Sequence, residues 1–141
     1  MHLHTHISHT AIKLFTLQKK LVRLIYNASY DATTGKIFSS LKIIKFHDIN
    51  TLLTAIHMYK YHHGLLPDCI NGMFTTNNAT HNYSTRHGNH LRIPRHNTNI
   101  RRYSLAMSGP KVWNTIPTTT QHMSPFMFKQ KLKDQILSAY K

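Results

Sequence analysis

The sequence has no glutamate, and its acidic residues are four aspartates at positions 31, 48, 68 and 134. Polymerases and two-metal nucleases need several carboxylates at one point to hold Mg²⁺, and glycosidases need a carboxylate pair. These four are widely separated, and three stand where turns and helix starts commonly use aspartate. We therefore predict that the chain is not an enzyme by itself.

Cysteine, glycine and long apolar runs are also scarce. One cysteine, Cys69, excludes an internal disulfide and any zinc site that needs two cysteines. Five glycines form no phosphate-binding loop. No run approaches the roughly 20 apolar residues of a membrane span, and MHLHTHISHT lacks the apolar centre of a signal peptide. We expect an intracellular protein, nuclear or cytoplasmic, with no membrane partner, small-molecule substrate or cofactor.

Histidines are the other candidate metal ligands, and there are thirteen. Four stand within the first nine residues and resemble a metal-affinity tag, but a frayed terminus offers no supporting hydrogen bonds. His62 and His63 could approach His57 and Cys69. A role for His62 and His63 at the negative end of a helix is favoured over zinc binding. We predict no metal site.

Apolar residues recur at helical spacing in three stretches, at 12–26, at 48–63 and after the Ser-Pro pair at 124–125. Ser-Pro is a typical start for a helix. These patterns predict a mainly α fold in which residues 11–141 form one small helical domain. The His-rich residues 1–10 are expected to be disordered.

Two further signals concern the predicted helices. Gly64 is suited to a left-handed cap that ends the helix at 48–63, and Pro67 prevents it from resuming. The 12–26 helix carries a leucine stripe, which we expect to face the core. The alternative is a basic amphipathic helix on a membrane surface. The stripe consists of Leu14, Leu17, Leu21 and Leu24.

Residues 74–100 are rich in Asn, Thr and His and nearly free of aliphatic side chains. They predict a flexible basic arm over 74–102, as a long loop or a weak β-hairpin at about 74–105. In the hairpin, YSTR (83–86) and HLRI (90–93) would be the two arms. Residues 100–107 fit either a strand or a helix.

Positive charge is the clearest compositional feature. Eighteen Lys and Arg against four acids give a net charge of +14, and such a chain needs an anionic partner, most commonly nucleic acid. Five of the six arginines lie between 86 and 102, interleaved with rings that could stack on bases: Tyr83, His87, His90 and Tyr103. The alternative is a solvated loop. The predicted nucleic-acid-binding residues are Arg86, Arg92, Arg95, Arg101, Arg102, Lys129, Lys131, Lys133 and Tyr83.

The only tryptophan stands in GPKVWNTIP, residues 109–117. The flanking prolines predict a single helical turn that opens at Pro110 and closes before Pro117. Because one turn is marginal alone, we expect Trp113 to anchor it on helix 48–63 or 125–140. Base stacking by Trp113 is the alternative. Asn114 is expected to satisfy backbone groups near the turn.

Six segments in this order resemble the extreme C-terminal part of reverse transcriptases of non-LTR (LINE, jockey-like) retrotransposons. The most specific residues of this resemblance are His81, Tyr83, Thr85, Arg86, Trp113, Asn114 and Pro117. The segments are LFTLQKKLVRLI (14–25), LKIIKFHDI (41–49), GLLPDCI (64–70), HNYSTR (81–86), GPKVWNTIP (109–117) and FKQKLK (128–133).

The resemblance implies a region downstream of the polymerase core that helps to grip RNA or DNA. The family's Tyr-x-Asp-Asp motif is absent, and one cysteine cannot form the zinc knuckle of some relatives. The expectation is a truncated, non-catalytic segment that contacts phosphates of RNA or DNA without sequence specificity. The alternatives are a structural segment that packs on an upstream polymerase thumb, and a standalone small basic RNA-binding protein.

Overall fold

The computed structural model of the protein describes residues 9–70, 72–80, 85–95, 97–98, 101 and 104–140. Within these residues 59% are helical and no strand is formed, so the protein is mainly α, as the sequence predicts. A 3₁₀ turn, Asp68–Ile70, stands between the third and fourth helices. The helices are α1 (His9–Ile25), α2 (Thr34–Ser40), α3 (Phe46–His62), α4 (Leu105–Trp113), α5 (Thr118–Gln121) and α6 (Pro125–Ser138).

The chain divides into two compact units. The first is drawn from the residues before Thr51 and after Lys129, and the second spans Thr51–Lys129. Residues 9 and 10 belong to α1, whereas the rest of the predicted disordered segment lies outside the described residues.

Helices α1, α2 and α3 end in the same way. The second residue after each helix has a positive φ: 51° at Asn27, 54° at Lys42 and 65° at Gly64. Left-handed residues at this place allow the next N–H to reach back to a carbonyl five residues earlier. The predicted cap at Gly64 is therefore confirmed. The three hydrogen bonds are Ala28 N to Arg23 O at 2.9 Å, Ile43 N to Phe38 O at 3.0 Å and Leu65 N to Lys60 O at 2.8 Å.

The first unit has a core built around Phe38, which is fully buried. Val22 of α1 and Ile37 of α2 join it, together with Leu137 and Tyr140 from the C-terminal part of the chain. The Gln18 side chain ties α1 to the segment before α3, since it donates to Ile44 O at 2.8 Å and accepts from Phe46 N at 2.9 Å.

The leucine stripe of α1 does not face this core, and that prediction was wrong. Leu14, Leu17, Leu21 and Leu24 are 44%, 60%, 55% and 78% exposed, whereas Val22 is 1% exposed. The apolar arc of α1 extends past the stripe to Val22 and Phe15, which lie about 130° round the helix from the centre of the stripe. Val22 and Phe15 pack into the core, whereas the four leucines of the stripe stay exposed.

The second unit packs around two methionines that are fully buried, Met58 of α3 and Met107 of α4. Tyr59 lies beside them on α3, with its ring centroid 4.5 Å from that of Phe128. Its hydroxyl donates to the carbonyl of Met123 at 2.7 Å. These contacts hold α3, α4 and the start of α6 together.

Helix α4 differs from the single turn expected at 110–117. It begins at Leu105 and contains Pro110 in its interior, where a proline normally costs about 3 kcal/mol. Met107, Pro110 and Trp113 are all buried and recur every three residues along one face. Burial of such side chains contributes about 1.5–3 kcal/mol each, which outweighs the cost of the proline.

The basic arm pairs differently from the predicted hairpin. The partner of HLRI is the segment at 75–78, through one antiparallel bridge between Thr76 and Leu91. Asn77 N donates to His90 O at 3.0 Å, and Arg92 N donates to Thr75 O at 2.8 Å. HLRI thus has the segment at 75–78 as its partner among the described residues, whereas Tyr83 and Ser84 of YSTR lie outside them.

Candidate nucleic-acid interface

Trp113 lies at the C-terminal end of α4 and is 4% exposed. Its ring centroid is 5.1 Å from that of His62 on α3 and 6.2 Å from that of Phe128 on α6. These are the two helices that the sequence analysis named for it. The ring is therefore held by two helices that are distant from it in the sequence.

Tight packing of the Met58 side chain against Gly109 accompanies this position of α4. Gly109 is buried, and a Cβ atom there would lie 2.5 Å from the Met58 sulfur. Met58 is itself fully buried, so it has little room to move. A larger residue at position 109 would therefore force the Met58 side chain to shift.

Asn114 joins α4 to the basic arm. Its Nδ2 donates to Leu91 O at 2.8 Å, and its Oδ1 accepts from Leu91 N at 3.0 Å. The side-chain amide thus pairs with the main chain of Leu91 as a neighbouring strand would. The sequence analysis expected Asn114 to bond to backbone near its own turn, and the partner lies 23 residues away instead.

The segment after Trp113 is held by Gln121, which the sequence analysis missed. Its Nε2 donates to Trp113 O at 3.2 Å and to Ile116 O at 2.9 Å. Pro117 stands at the N-cap position of α5, and its carbonyl accepts from Thr120 N and Gln121 N. Pro117 itself is exposed, so it contributes through backbone geometry rather than burial.

These elements enclose a cavity of about 410 Å³. Aromatic rings and neutral polar groups form its walls, and no lysine, arginine or aspartate of the described residues lines it. A volume of this size is typical of small-ligand sites. The lining residues are His62, Thr76, Asn89, His90, Leu91, Trp113, Asn114, Ile116, Thr118, Gln121 and His122.

His62, on the wall of this cavity, favours the neutral state. Partial burial lowers the pKa of His62 below its ordinary value of 6.5, and nearby His63 and His122 lower it further. The ring centroid of His122 lies 6.1 Å from that of His62. At neutral pH the cavity is therefore lined by an uncharged imidazole at His62.

The predicted phosphate-binding arginines are exposed wherever they are described: Arg86, Arg92, Arg95 and Arg101. Arg92 Nη1 makes one long hydrogen bond to Thr80 Oγ1, at 3.4 Å. Among the described residues, an ion pair joins His47 to Asp48 at 3.7 Å, and no described arginine forms an ion pair. Arg86, Arg92, Arg95 and Arg101 therefore carry exposed charge with no ion pair among the described residues. Arg102, Tyr83 and Tyr103 lie outside the described residues.

Two of the rings expected to stack on bases contact each other instead, in a tilted arrangement. The centroids of His87 and His90 are 4.6 Å apart, with an interplanar angle of 45°. His87 is exposed and His90 is half-buried at the cavity.

The three α6 lysines predicted to bind nucleic acid do not share one face of the helix. Lys129 and Lys133 are one helical turn apart and share a side of α6, whereas Lys131 lies on roughly the opposite side. Lys129 and Lys131 are exposed and Lys133 is half-buried. One phosphate backbone therefore cannot contact all three at once.

Metal and membrane features can be stated for the described part of the chain. No group of three or more His, Cys or Asp residues there is arranged to hold a metal ion. Cys69 is a free, exposed thiol. No helix among the described residues combines the length and the apolar character needed to cross a bilayer.

Comparison of the chain with protein-family models, with curated proteins and with solved structures gave no match.

Sequence reasoning did not find Asn89, Gln121 and His122, which line the cavity beside Trp113. They carry no motif, and their relation to Trp113 depends on how the arm, α3 and α5 fold together. The one indication available was the concentration of histidine and asparagine in the arm.

Proposed function

We propose that this chain is a non-catalytic nucleic-acid-binding segment, similar to the region downstream of the polymerase core in non-LTR retrotransposon reverse transcriptases. It contacts RNA or DNA through the phosphates, without strong choice of sequence. The part of the basic arm between Arg86 and Arg102 makes most of these phosphate contacts. Lys129 and Lys133, on one side of α6, make further ones.

The observation that carries the proposal is the exposed and unpaired arginine charge. Arg86, Arg92, Arg95 and Arg101 are exposed on one segment, and no acidic residue occurs between Asp68 and Asp134. Arginine binds phosphate oxygens with two parallel hydrogen bonds. A solvated loop would need no such concentration of arginine.

Two double variants test the assignment. Arg86→Ala with Arg95→Ala removes two exposed charges from the arm, and neither side chain has a hydrogen-bond partner among the described residues. The matched control, Lys13→Ala with Lys20→Ala, removes the same charge from the exposed surface of α1. Fluorescence anisotropy against a labelled duplex measures affinity at several salt concentrations.

The arm variant is expected to flatten the slope of log affinity against log salt by about 2, and the control to leave it nearly unchanged. Equal effects from the two variants would mean that binding follows net charge alone and that the arm has no special part.

The exposed leucine stripe of α1 favours a second candidate function, a structural segment that packs on an upstream polymerase thumb. Four leucines at alternating spacings of three and four residues form a narrow seam, which is typical of helix-to-helix packing. If this seam is an interface, the isolated chain self-associates through it.

The variant Leu17→Gln with Leu24→Gln tests this second function. We expect it to lower self-association in size-exclusion chromatography without changing the unfolding midpoint, because both leucines are exposed. A variant that self-associates as the unmodified chain does would remove the support for this interface.

A further inference from the structure

The cavity beside Trp113 has walls suited to a flat, neutral, hydrogen-bonding group. Trp113 and Ile116 are buried and form apolar wall. The rings of His62, His90 and His122 stand around it. A phosphate or a carboxylate would meet no lysine or arginine among the described residues that line the cavity.

Polar atoms at the cavity remain available for a ligand. Both donors of the Gln121 amide are used by Trp113 O and Ile116 O, which leaves Gln121 Oε1 as an acceptor. Asn89 Oδ1 accepts from Asn78 Nδ2 at 3.3 Å, which leaves the Asn89 NH₂ as a donor. One free acceptor and one free donor match the edge of a nucleobase.

The cavity also adjoins the basic arm along the chain. Asn89, His90 and Leu91 line it, and the exposed Arg92 follows directly. A nucleic-acid strand held by arginine at its phosphates would thus pass close to the opening. Sequence-tolerant binding of single strands commonly combines a basic track with rings on which bases stack.

We propose that this cavity receives one unpaired base of a single-stranded nucleic acid whose phosphates lie on the basic arm. The inference rests on the proposed function and adds the single-stranded form of the ligand to it. Lowering of the His62 pKa agrees with this role, because a neutral imidazole can stack on a base without desolvating a charge.

Trp113 is the only tryptophan in the chain, so its fluorescence reports on the cavity directly. The full chain is titrated at low salt with a single-stranded 12-mer and with an abasic strand of the same length and charge. Anisotropy of labelled strands measures binding separately. We expect both strands to bind and only the strand with bases to quench Trp113.

The variant Asn89→Ala with His122→Ala removes a free donor and a ring from the cavity wall. Base stacking contributes about 1–3 kcal/mol per base, so affinity for the base-containing strand should fall about tenfold, with affinity for the abasic strand unchanged. The matched control is Thr119→Ala, which changes an exposed residue of α5 outside the cavity. Circular dichroism checks that each variant remains folded.

The outcomes separate the two proposals. If both strands bind equally and neither quenches Trp113, the base site is overturned and the proposed function stands. If neither strand binds, both proposals fail. If the cavity variant weakens both strands alike, the cavity contributes no base contact and the base site is again overturned.

Discussion

The side-chain amide of Asn114 and the main chain of Leu91 are joined by two hydrogen bonds, at 2.8 and 3.0 Å. This pair connects the end of α4 to the basic arm at Leu91, the residue that is bridged to Thr76 within the arm. It places the arm next to Trp113. The Asn114 amide is therefore one of the contacts that position the arm.

Replacement of Asn114 by alanine should lower the free energy of unfolding by about 1–3 kcal/mol, because it leaves the half-buried N–H and C=O of Leu91 unpaired. Asn114→Asp should lower it too, since a carboxylate cannot donate to Leu91 O. Urea unfolding measures both variants. The exposed residue Asn97 supplies the control, Asn97→Ala, and an Asn114→Ala variant as stable as this control would contradict the structural role of the pair.

Gly109→Ala tests the approach of α4 to α3. The added Cβ would stand 2.5 Å from the Met58 sulfur and 3.4 Å from Phe74 Cε1. Overpacking costs about 1–3 kcal/mol, which should exceed the gain of up to about 1 kcal/mol that alanine brings to a helix. Thermal unfolding of Gly72→Ala is the control, because nothing lies within 4 Å of that position. An increase in the stability of Gly109→Ala would show that the helices do not meet closely.

Alkaline pH should weaken the first unit through Tyr140. Burial, followed by the hydrogen bond to Asp48, raises the pKa of Tyr140 above its ordinary value of 10.0. The stabilisation is fully present below about pH 10. It is lost at higher pH, because the unfolded tyrosine ionises before the folded one.

Urea unfolding at about pH 8 and pH 11 measures this loss. Tyr140→Phe should lose less stability than the unmodified chain over this interval. Tyr30→Phe is the control, as Tyr30 is 80% exposed, and it should behave as the unmodified chain does. Equal pH dependence of all three proteins would exclude the role of Tyr140.

The two apolar edges of α1 should respond differently to substitution. Val22→Ala removes two buried carbons and should lower the free energy of unfolding by about 2 kcal/mol. Leu24→Ala removes exposed carbons and should change it by less than about 0.5 kcal/mol. If Leu24→Ala proves the more destabilising of the two in denaturant unfolding, the leucine stripe is core after all.

Periodicity and caps predicted the helical parts of this fold well. The spacing of apolar residues located α1, α3 and α6, and the Ser-Pro pair gave the first residue of α6, because these signals act within a few residues. Periodicity did not determine which edge of the α1 apolar arc is buried. That choice depends on Phe38 and Tyr140, which reach α1 from distant positions in the chain.

The candidate site was harder to predict for the same reason. The concentration of arginine is a property of composition and could be read directly. The pairing of Thr76 with Leu91, the partner of Asn114 and the cavity wall at Gln121 all depend on contacts between residues far apart in sequence. Pro110 was misleading, because burial of one face of α4 overrode its usual tendency to begin a helix.

The central claim is that the exposed arginines bind phosphate, and the salt dependence of affinity tests it most directly. Fluorescence anisotropy of the full chain with a labelled duplex is measured between about 50 and 300 mM salt. Neutralisation of about six phosphates predicts a slope near −5 for log affinity against log salt. A slope near zero, or no binding at the lowest salt, would contradict the account.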